Sequence, residues 1–291
     1  MAKLRIGTCS WKYPSWKGIV YSGEKDIDYL HEYSKKYDTV EIDQWFWSLF
    51  HGSQVKLPKQ SDVKGYRDAV TDDFKFTIKV PNSVTLTHYY QKGKAEVLEA
   101  NPFFLSVSIF KEFLSKIAPI NDLLGPLIFQ FEYLNKKKMS SLSKFIETFE
   151  GFLHSLPKSY FYAVEIRNPN YLKKPYFEFM KRNRLSHVFL QGYWMPDVTD
   201  VLLTWREYIL HQKTVIIRLN GSDREGIEHK TGKKWNRIVI QKDRELKNIS
   251  KMISNLIKRG IDVYLNVNNH YEGSAPLTIE KIKRSLHQGE E

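Results

Sequence analysis

The chain has 291 residues, of which 42% are hydrophobic, and 45 Lys and Arg against 33 Asp and Glu give it a formal net charge of +12. This hydrophobic share excludes a disordered chain, and the longest apolar runs are too short to cross a membrane. One cysteine excludes an internal disulfide and the start lacks the apolar stretch of a signal peptide, so we expect a cytoplasmic protein with no membrane partner.

The positive charge has two interpretations. A basic balance favours anionic partners, either an anionic small molecule or nucleic acid. The lysines are, however, spread along the sequence rather than gathered in one block. A solvated, lysine-rich surface with no partner is therefore the alternative.

Eight segments have the composition of β-strands, and most are bounded by Gly, Pro, Asn or Asp. They are residues 3–10, 38–43, 74–80, 126–132, 160–168, 186–192, 214–221 and 262–269. Helical spacing of apolar residues predicts helices between several of these strands. The helices are residues 26–36, 103–117, 140–154, 174–183, 241–258 and 276–286, with Ser140 or Ser141 as the cap of the third. The pattern over 197–212 is less regular.

Strands that alternate with helices predict βαβ units and a parallel sheet. Eight such units fit a closed barrel better than an open sheet, and no glycine-rich dinucleotide fingerprint follows the first strand. No linker or short-period repeat divides the chain. We therefore predict an α/β fold, a single-domain TIM-type (β/α)₈ barrel that spans residues 1–291.

The segment YAVEIRN, residues 162–168, carries two charges inside a strand-like run. Successive side chains of a strand point to opposite faces, so Glu165 and Arg167 share one face and Val164 and Ile166 the other. Five other strands repeat this pattern near their carboxyl ends. The polar pairs are Glu41 and Asp43, Thr77 and Lys79, Gln130 and Glu132, Arg218 and Asn220, and Asn266 and Asn268.

In a barrel of this type the active site lies at the carboxyl ends of the strands, so these polar side chains are expected to form an interior ring there. The ring is either an ion-pair network that fixes strand register or a pocket for an anionic, phosphate-bearing ligand. In the second interpretation the reaction is phosphoester hydrolysis, with Glu165, Glu41 and His88 as catalytic groups. The ligand-binding residues are then Arg167, Arg218, Lys79, Glu132, Asn220, Asn266, Asn268 and Trp11.

Aromatic residues crowd the segments after the first two strands. They are Trp11, Tyr13, Trp16, Tyr21, Trp45, Phe46 and Trp47. They either pack the loops over the barrel or stack on a base or sugar ring. Stacking beside a basic surface supports the alternative function, a non-catalytic nucleic-acid-binding protein.

A long polar segment, residues 221–237, follows the seventh strand, where barrels of this type often bind phosphate. Its candidate phosphate contacts are Lys230, Lys233, Lys234 and Arg237, with Trp235 as a stacking residue. The alternative is a surface excursion without a ligand.

Metal binding and thiol chemistry are weaker hypotheses. Oxygen ligands for Mg²⁺ or Mn²⁺ are available from Glu41, Asp43, Glu132 and Glu165. Zinc would need imidazole or thiolate ligands, and of the histidines only His88, His229 and His270 lie near strand ends. We therefore predict no metal ligands. Cys9 is expected to be a core-facing thiol, since a nucleophile would need a neighbouring base.

Seven blocks, in order, resemble the YecE-like family, also called domain of unknown function 72. They are IGTCSWKYPSWKGIVY (6–21), TVEIDQWFWSL (39–49), FKFTIKV through LTHYY (74–90), LGPLIFQFE (124–132), YAVEIRN (162–168), VIIRLNG (215–221) and YLNVNNHYEGSAPLTIEKI (264–282). The resemblance implies a TIM-barrel fold but no reaction. This sequence departs from the family pattern at DQWFWSLF after the second strand, at Asn168 and Tyr171, and at Asn220.

Overall fold

The structure is a computed structural model that describes residues 2–23, 25–52, 54–90 and 98–288. The chain folds into two compact units. The first unit comprises Met1–Glu41, Ala69–Lys75 and Ser186–Glu291, and the second unit comprises Ile42–Asp68 and Phe76–Leu185.

Strands and helices alternate along the described residues. The strands are β1 (Leu4–Thr8), β2 (Thr39–Ile42), β3 (Leu49–Phe50), β4 (Gln54–Val55), β5 (Lys75–Lys79), β6 (Leu124–Gln130), β7 (Tyr162–Glu165), β8 (Ser186–Gly192), β9 (Thr214–Gly221) and β10 (Asp262–Val267). The helices are α1 (Tyr29–Ser34), α2 (Gln60–Asp68), α3 (Asn82–Thr85), α4 (Val107–Ile117), α5 (Leu142–His154), α6 (Lys174–Arg182), α7 (Val198–Ile209), α8 (Arg224–Thr231), α9 (Asp243–Lys258) and α10 (Ala275–Gln288). Short 3₁₀ segments lie at Pro14–Trp16, Ala118–Leu123 and Pro169–Tyr171.

The first unit contains a parallel sheet in which β1 pairs with β10, β10 with β9, and β9 with β8. One layer of this sheet aligns Gly7, Asn266, Arg218 and Leu190 on the four strands. Strand β2 approaches β1 so closely that a Cβ atom at Gly7 would lie 1.9 Å from the carbonyl oxygen of Thr39. Any larger residue at position 7 would therefore push β2 away.

The second unit contains a parallel sheet of β5, β6 and β7 and a small antiparallel hairpin of β3 and β4. In its core, the apolar face of α5 packs on β6 through phenylalanine side chains. Phe129 lies 5.3 Å from Phe149 and Phe131 lies 4.9 Å from Phe145, measured between ring centroids. These buried rings leave the other face of the strands for polar side chains.

The eight predicted strands and the six predicted helices are all present, and Ser141 caps α5 as one of the two expected candidates. The structure adds helix α7 within 197–212 and helix α8 within the long polar segment 221–237, where no helix was predicted. Helix α8 begins where Asp223 accepts a hydrogen bond from the amide of Gly226, and it ends at Gly232, whose φ is +58°. These local caps stabilise a helix that its polar composition did not suggest. The prediction of a single domain stays a prediction.

Candidate functional site

The carboxyl ends of the first unit's strands hold a buried ion pair between Glu41 and Arg218. The Nε atom of Arg218 donates to Oε2 of Glu41 at 2.6 Å, and its Nη2 atom donates to Oε1 at 2.7 Å. The Arg218 side chain is 2% exposed and the Glu41 side chain 0%. This bidentate geometry fixes the plane of the guanidinium and offsets part of the cost of burying both charges.

Asn266 stands beside this ion pair, because it is in register with Arg218 on the adjacent strand. Its side chain is fully buried, and neither the oxygen nor the nitrogen of its amide has a hydrogen-bond partner among the described residues. Asn220 lies two positions after Arg218 on the same face of β9. It is also buried, and its Oδ1 atom likewise has no hydrogen-bond partner among the described residues. Buried polar atoms are nearly always paired, so such atoms indicate a water or a ligand.

Cys9 and Trp11 follow β1 and are both buried. The sulfur of Cys9 lies 4.0 Å from Nη2 of Arg218, and its backbone amide donates to the carbonyl of Val267. The carbonyl of Trp11 accepts a hydrogen bond from the hydroxyl of Tyr21. The burial of Cys9 agrees with the prediction of a core-facing thiol. The Trp11 ring is packed inside the protein rather than exposed to solvent.

Asn268 is the first of four side chains that polar contacts link in series, an arrangement that the sequence did not suggest. Its Oδ1 atom accepts from the backbone amide of His270 at 3.0 Å and lies 2.6 Å from Nδ1 of that ring. On the other side, Nε2 of His270 lies 3.0 Å from Glu228, and Arg224 donates to the same carboxylate at 2.8 Å. The hydrogen bond from Arg224 is the main reason why the pKa of Glu228 is lowered to about 2, whereas burial lowers the pKa of His270.

In the second unit, Glu165 and Arg167 lie on one face as the alternation predicted. Nε of Arg167 donates to Oε1 of Glu165 at 3.0 Å. Glu165 is fully buried, whereas the Arg167 side chain is 23% exposed. Lys79, buried at the end of β5, places its ammonium 4.7 Å from the centroid of the Phe46 ring. The second unit thus also has charged side chains at the carboxyl ends of its strands.

Two candidate residues of the second unit, Glu132 and His88, are both affected by Lys138, a cation that was not among the predicted site residues. Lys138 donates to Oε2 of Glu132 at 2.5 Å, while Oε1 is buried and unpartnered among the described residues. His88 contacts Oγ1 of Thr87 through Nδ1 at 2.9 Å. Burial is the main cause that lowers the pKa of His88, and the charge of Lys138 lowers it further. Lys138 lies in the lysine-rich turn NKKK, and nothing in the sequence distinguished it from the neighbouring lysines as the partner of Glu132.

The aromatic residues after the first two strands divide into a packed majority and an exposed minority. Five of the seven are buried: Trp11, Trp16, Tyr21, Trp45 and Phe46. Trp47 is 58% exposed and makes an edge contact with Tyr90, which is 63% exposed. In the segment after β9, Trp235 is buried against the ring of His270, whereas Lys230, Lys233 and Lys234 are exposed and Arg237 donates to the carbonyl of Lys230.

The predicted site residues therefore fall into two groups. Glu41, Arg218, Asn220, Asn266, Asn268 and Trp11 belong to the first unit, and Lys79, His88, Glu132, Glu165 and Arg167 belong to the second. Within the first group, the structure joins Glu41 to Arg218 and aligns Asn266 with them, while Asn268 bonds to His270 instead. Their roles toward a ligand stay predictions.

Neither a metal cluster nor a membrane span is found where the structure describes the chain. Within residues 2–23, 25–52, 54–90 and 98–288, no three His, Cys, Asp or Glu side chains come together in a way that could hold an ion. In the same ranges, no helix has both the length and the apolar run needed to pass through a bilayer. The weaker hypothesis that Glu41, Asp43, Glu132 and Glu165 bind a metal ion through oxygen thus has no support in these ranges.

Eight strands alternating with helices, with polar side chains at their carboxyl ends, define an α/β protein of the TIM-type (β/α)₈ class. The same fold is found in solved DUF72 family proteins of Enterococcus faecalis V583 (TM-score 0.67, 18% identity, covering 98% of this chain and 95% of that one) and Thermotoga maritima MSB8 (TM-score 0.68, 21% identity, 98% and 99%). The model of the family described as "Protein of unknown function DUF72" matches residues 5–291, and the chain belongs to that family.

The UPF0759 protein YecE of Escherichia coli K12 is 25% identical over 171 residues, which are 59% of this chain and 51% of that protein. The chain thus spans about half the length of the curated relatives it matches. The family membership confirms the resemblance and the fold, and it assigns no reaction.

Proposed function

We propose that the protein binds a small anionic ligand that carries phosphate and hydroxyl groups, at the carboxyl ends of β1, β9 and β10 in the first unit. The observation that carries the proposal is Asn266, whose buried amide has neither a donor nor an acceptor partner among the described residues. Leaving such a group unpaired costs about 1–3 kcal/mol, which a bound ligand would recover.

The chemistry of the unpartnered atoms favours a ligand with both donors and acceptors. The Oδ1 atoms of Asn266 and Asn220 require donors, which hydroxyl groups supply. The Nδ2 atom of Asn266 requires an acceptor, which phosphate or hydroxyl oxygens supply. A hydroxylated phosphate ester satisfies both requirements, whereas a purely apolar ligand satisfies neither.

The ion pair beside Asn266 supports an orienting role for Glu41. Both oxygens of this carboxylate accept bonds from Arg218, which holds them toward the guanidinium rather than toward a substrate. We assign Glu41 to holding the guanidinium and Arg218 to favouring a negatively charged ligand. Hydrolysis of the phosphoester remains the proposed reaction, and release of inorganic phosphate measures it directly.

Thermal unfolding in the presence of defined probes tests the binding proposal. The probes are a sugar phosphate, the same sugar without phosphate, and inorganic phosphate, each at millimolar concentration. We expect the sugar phosphate to raise the Tm most, because a ligand that binds only the folded state stabilises it. Asn266→Ala should abolish this shift, and Asn248→Ala, at an exposed position of α9, should retain it.

The proposal is wrong if none of the three probes changes the Tm of the wild-type chain. It is also wrong if the sugar phosphate stabilises the wild-type and Asn266→Ala chains equally, because the ligand would then bind elsewhere.

A further inference from the structure

The outer face of the first unit contains a long basic groove, which lies along helices α9 and α10. Its volume is about 840 Å³, and α10 packs directly against α9. The cations that line it are Lys247, Lys251, Lys258, Lys281 and Arg284, whereas Asp243 is the single acidic residue that the described part of the chain contributes to the lining. These cations come from sequence positions up to 37 residues apart, so the groove is not visible as a basic block in the sequence.

Among the described residues, most of this positive charge has no counter-ion. Lys281 is bound to Asp243 at 2.5 Å and to the buried Glu272 at 2.7 Å, so its charge is already offset by two carboxylates. In the described part of the chain, Lys247, Lys251 and Lys258 form no ion pair with a carboxylate, and Arg284 donates only to the backbone carbonyl of Glu280. Like charges four residues apart on a helix destabilise it, so Lys247 and Lys251 repel each other.

The three free lysines form one row. Positions 247, 251 and 258 are four and seven residues apart, which places them on one stripe of α9 about 16 Å long. Ser250, on the same helix, lines the groove with a buried Oγ atom that has no partner among the described residues. A row of ammonium groups beside an unsatisfied hydroxyl is suited to oxygen-rich anions.

We infer that this groove binds the phosphodiester backbone of a nucleic acid, without reading its sequence. Ammonium groups are point charges that bind phosphate oxygens, and a row of them matches a chain of regularly spaced anions. Among the described residues of the lining, Leu246 is the one apolar side chain, so they do not supply the set of aromatic or aliphatic anchors that peptide-binding grooves use. Its concave form and lack of apolar groups also disfavour a membrane surface.

This inference is independent of the ligand proposed for the strand ends, because none of the groove residues belongs to that site. It predicts a salt-dependent interaction, since each lysine that neutralises a phosphate releases a counter-ion.

Fluorescence anisotropy with a labelled 20-nucleotide single strand and a 20-base-pair duplex tests it, each at 50 and 200 mM salt. The test variant is Lys247→Gln, Lys251→Gln, Lys258→Gln. Because three fewer phosphates are then neutralised, the ratio of Kd at 200 mM to Kd at 50 mM should be smaller than the wild-type ratio by about 20-fold on the single strand and about 40-fold on the duplex.

The matched control removes the same charge from exposed lysines of the second unit, by Lys64→Gln, Lys111→Gln, Lys181→Gln. This control should keep the wild-type salt dependence, and circular dichroism should show both triple variants folded. The single variant Lys251→Glu repeats the test with less change to α9.

Several outcomes overturn the inference. The first is that neither nucleic acid binds at 50 mM salt. The second is an equal loss of nucleic-acid binding in both triple variants, which would mean diffuse attraction. The third is that polyglutamate or anionic vesicles at matched charge compete equally well for the protein. Preference for the single strand or for the duplex supports the inference in either case and identifies the form of nucleic acid that binds.

Discussion

Two Glu–Arg pairs stand at the carboxyl ends of strands, one in each unit, and they differ in how they are built. Glu165 and Arg167 are two residues apart on one strand, and the arginine remains 23% exposed. Glu41 and Arg218 are 177 residues apart, join two strands in a bidentate pair, and are excluded from water. The first pair follows from strand alternation alone, whereas the second exists only because the chain folds back on itself.

This difference predicts unequal dependence of stability on the two pairs. A carboxylate that water can reach once its partner is removed costs less stability than one that stays sealed from water. The following changes separate the pairs, and they are ordered from the largest expected effect.

Arg218→Ala should lower the free energy of unfolding by about 3–5 kcal/mol, because it leaves the Glu41 carboxylate buried without its guanidinium. Urea denaturation monitored by circular dichroism measures the loss. The double variant Glu41→Leu, Arg218→Met should recover most of it, since both buried charges are then removed. A loss below about 1 kcal/mol in the single variant would show that the pair is not buried as described.

Arg167→Ala should lower the free energy of unfolding less, by about 1.5–3 kcal/mol, the usual value of a hydrogen bond to a charged group. Water can approach the Glu165 carboxylate through the space that the partly exposed arginine vacates. The same urea titration applies, with Arg167→Lys as the variant that keeps the charge. If Arg167→Ala proves more damaging than Arg218→Ala, burial does not decide the ranking.

Asn266→Leu should raise the free energy of unfolding by about 1–2 kcal/mol, because it removes two unpaired polar atoms from a fully buried position beside Arg218. The same variant should lose the stabilisation by the sugar phosphate. This combination, a more stable protein that no longer binds, distinguishes a ligand position from a structural one. Asn266→Asp, which keeps a polar group of similar size, should not be more stable than the wild-type chain.

A third pair, Glu150 with Arg182, has the bidentate geometry of Glu41 with Arg218 but lies on the surface, with bonds of 2.7 and 2.8 Å. The hydrogen bond from Arg182 is the main cause that lowers the pKa of Glu150 to about 2. A lowered carboxyl pKa stabilises the folded state above the unfolded value, about 4.3, and this stabilisation is lost as the pH falls toward the folded value.

Arg182→Ala should therefore cost less than about 1 kcal/mol at pH 7. The difference between wild type and Glu150→Gln should shrink as urea titrations are repeated from about pH 5 down to about pH 2. A difference that stays constant over this range would contradict the assigned cause.

Local sequence signals were sufficient for the eight predicted strands and for the face that Glu165 and Arg167 occupy, whereas the short hairpin of β3 and β4 was not predicted. Glu165 and Arg167 share a face because side chains alternate along any strand, whatever surrounds it. Helix α8 was missed because its stability comes from caps at Asp223 and Gly232 rather than from an apolar stripe. The aromatic residues after the first two strands could not be sorted into packed and exposed ones, since burial depends on neighbours far away in sequence.

The sequence by itself determined the strand and helix alternation, the fold class, the family and the polar character of the strand ends, because each of these depends on periodicity or on short ordered blocks. Only the tertiary structure decided that Arg218 belongs to Glu41, that the amide of Asn266 lacks partners in the described chain, and that lysines from α9 line one groove with α10. The physical reason is that hydrogen bonds, burial and summed charge depend on distance in space, which a linear pattern does not contain.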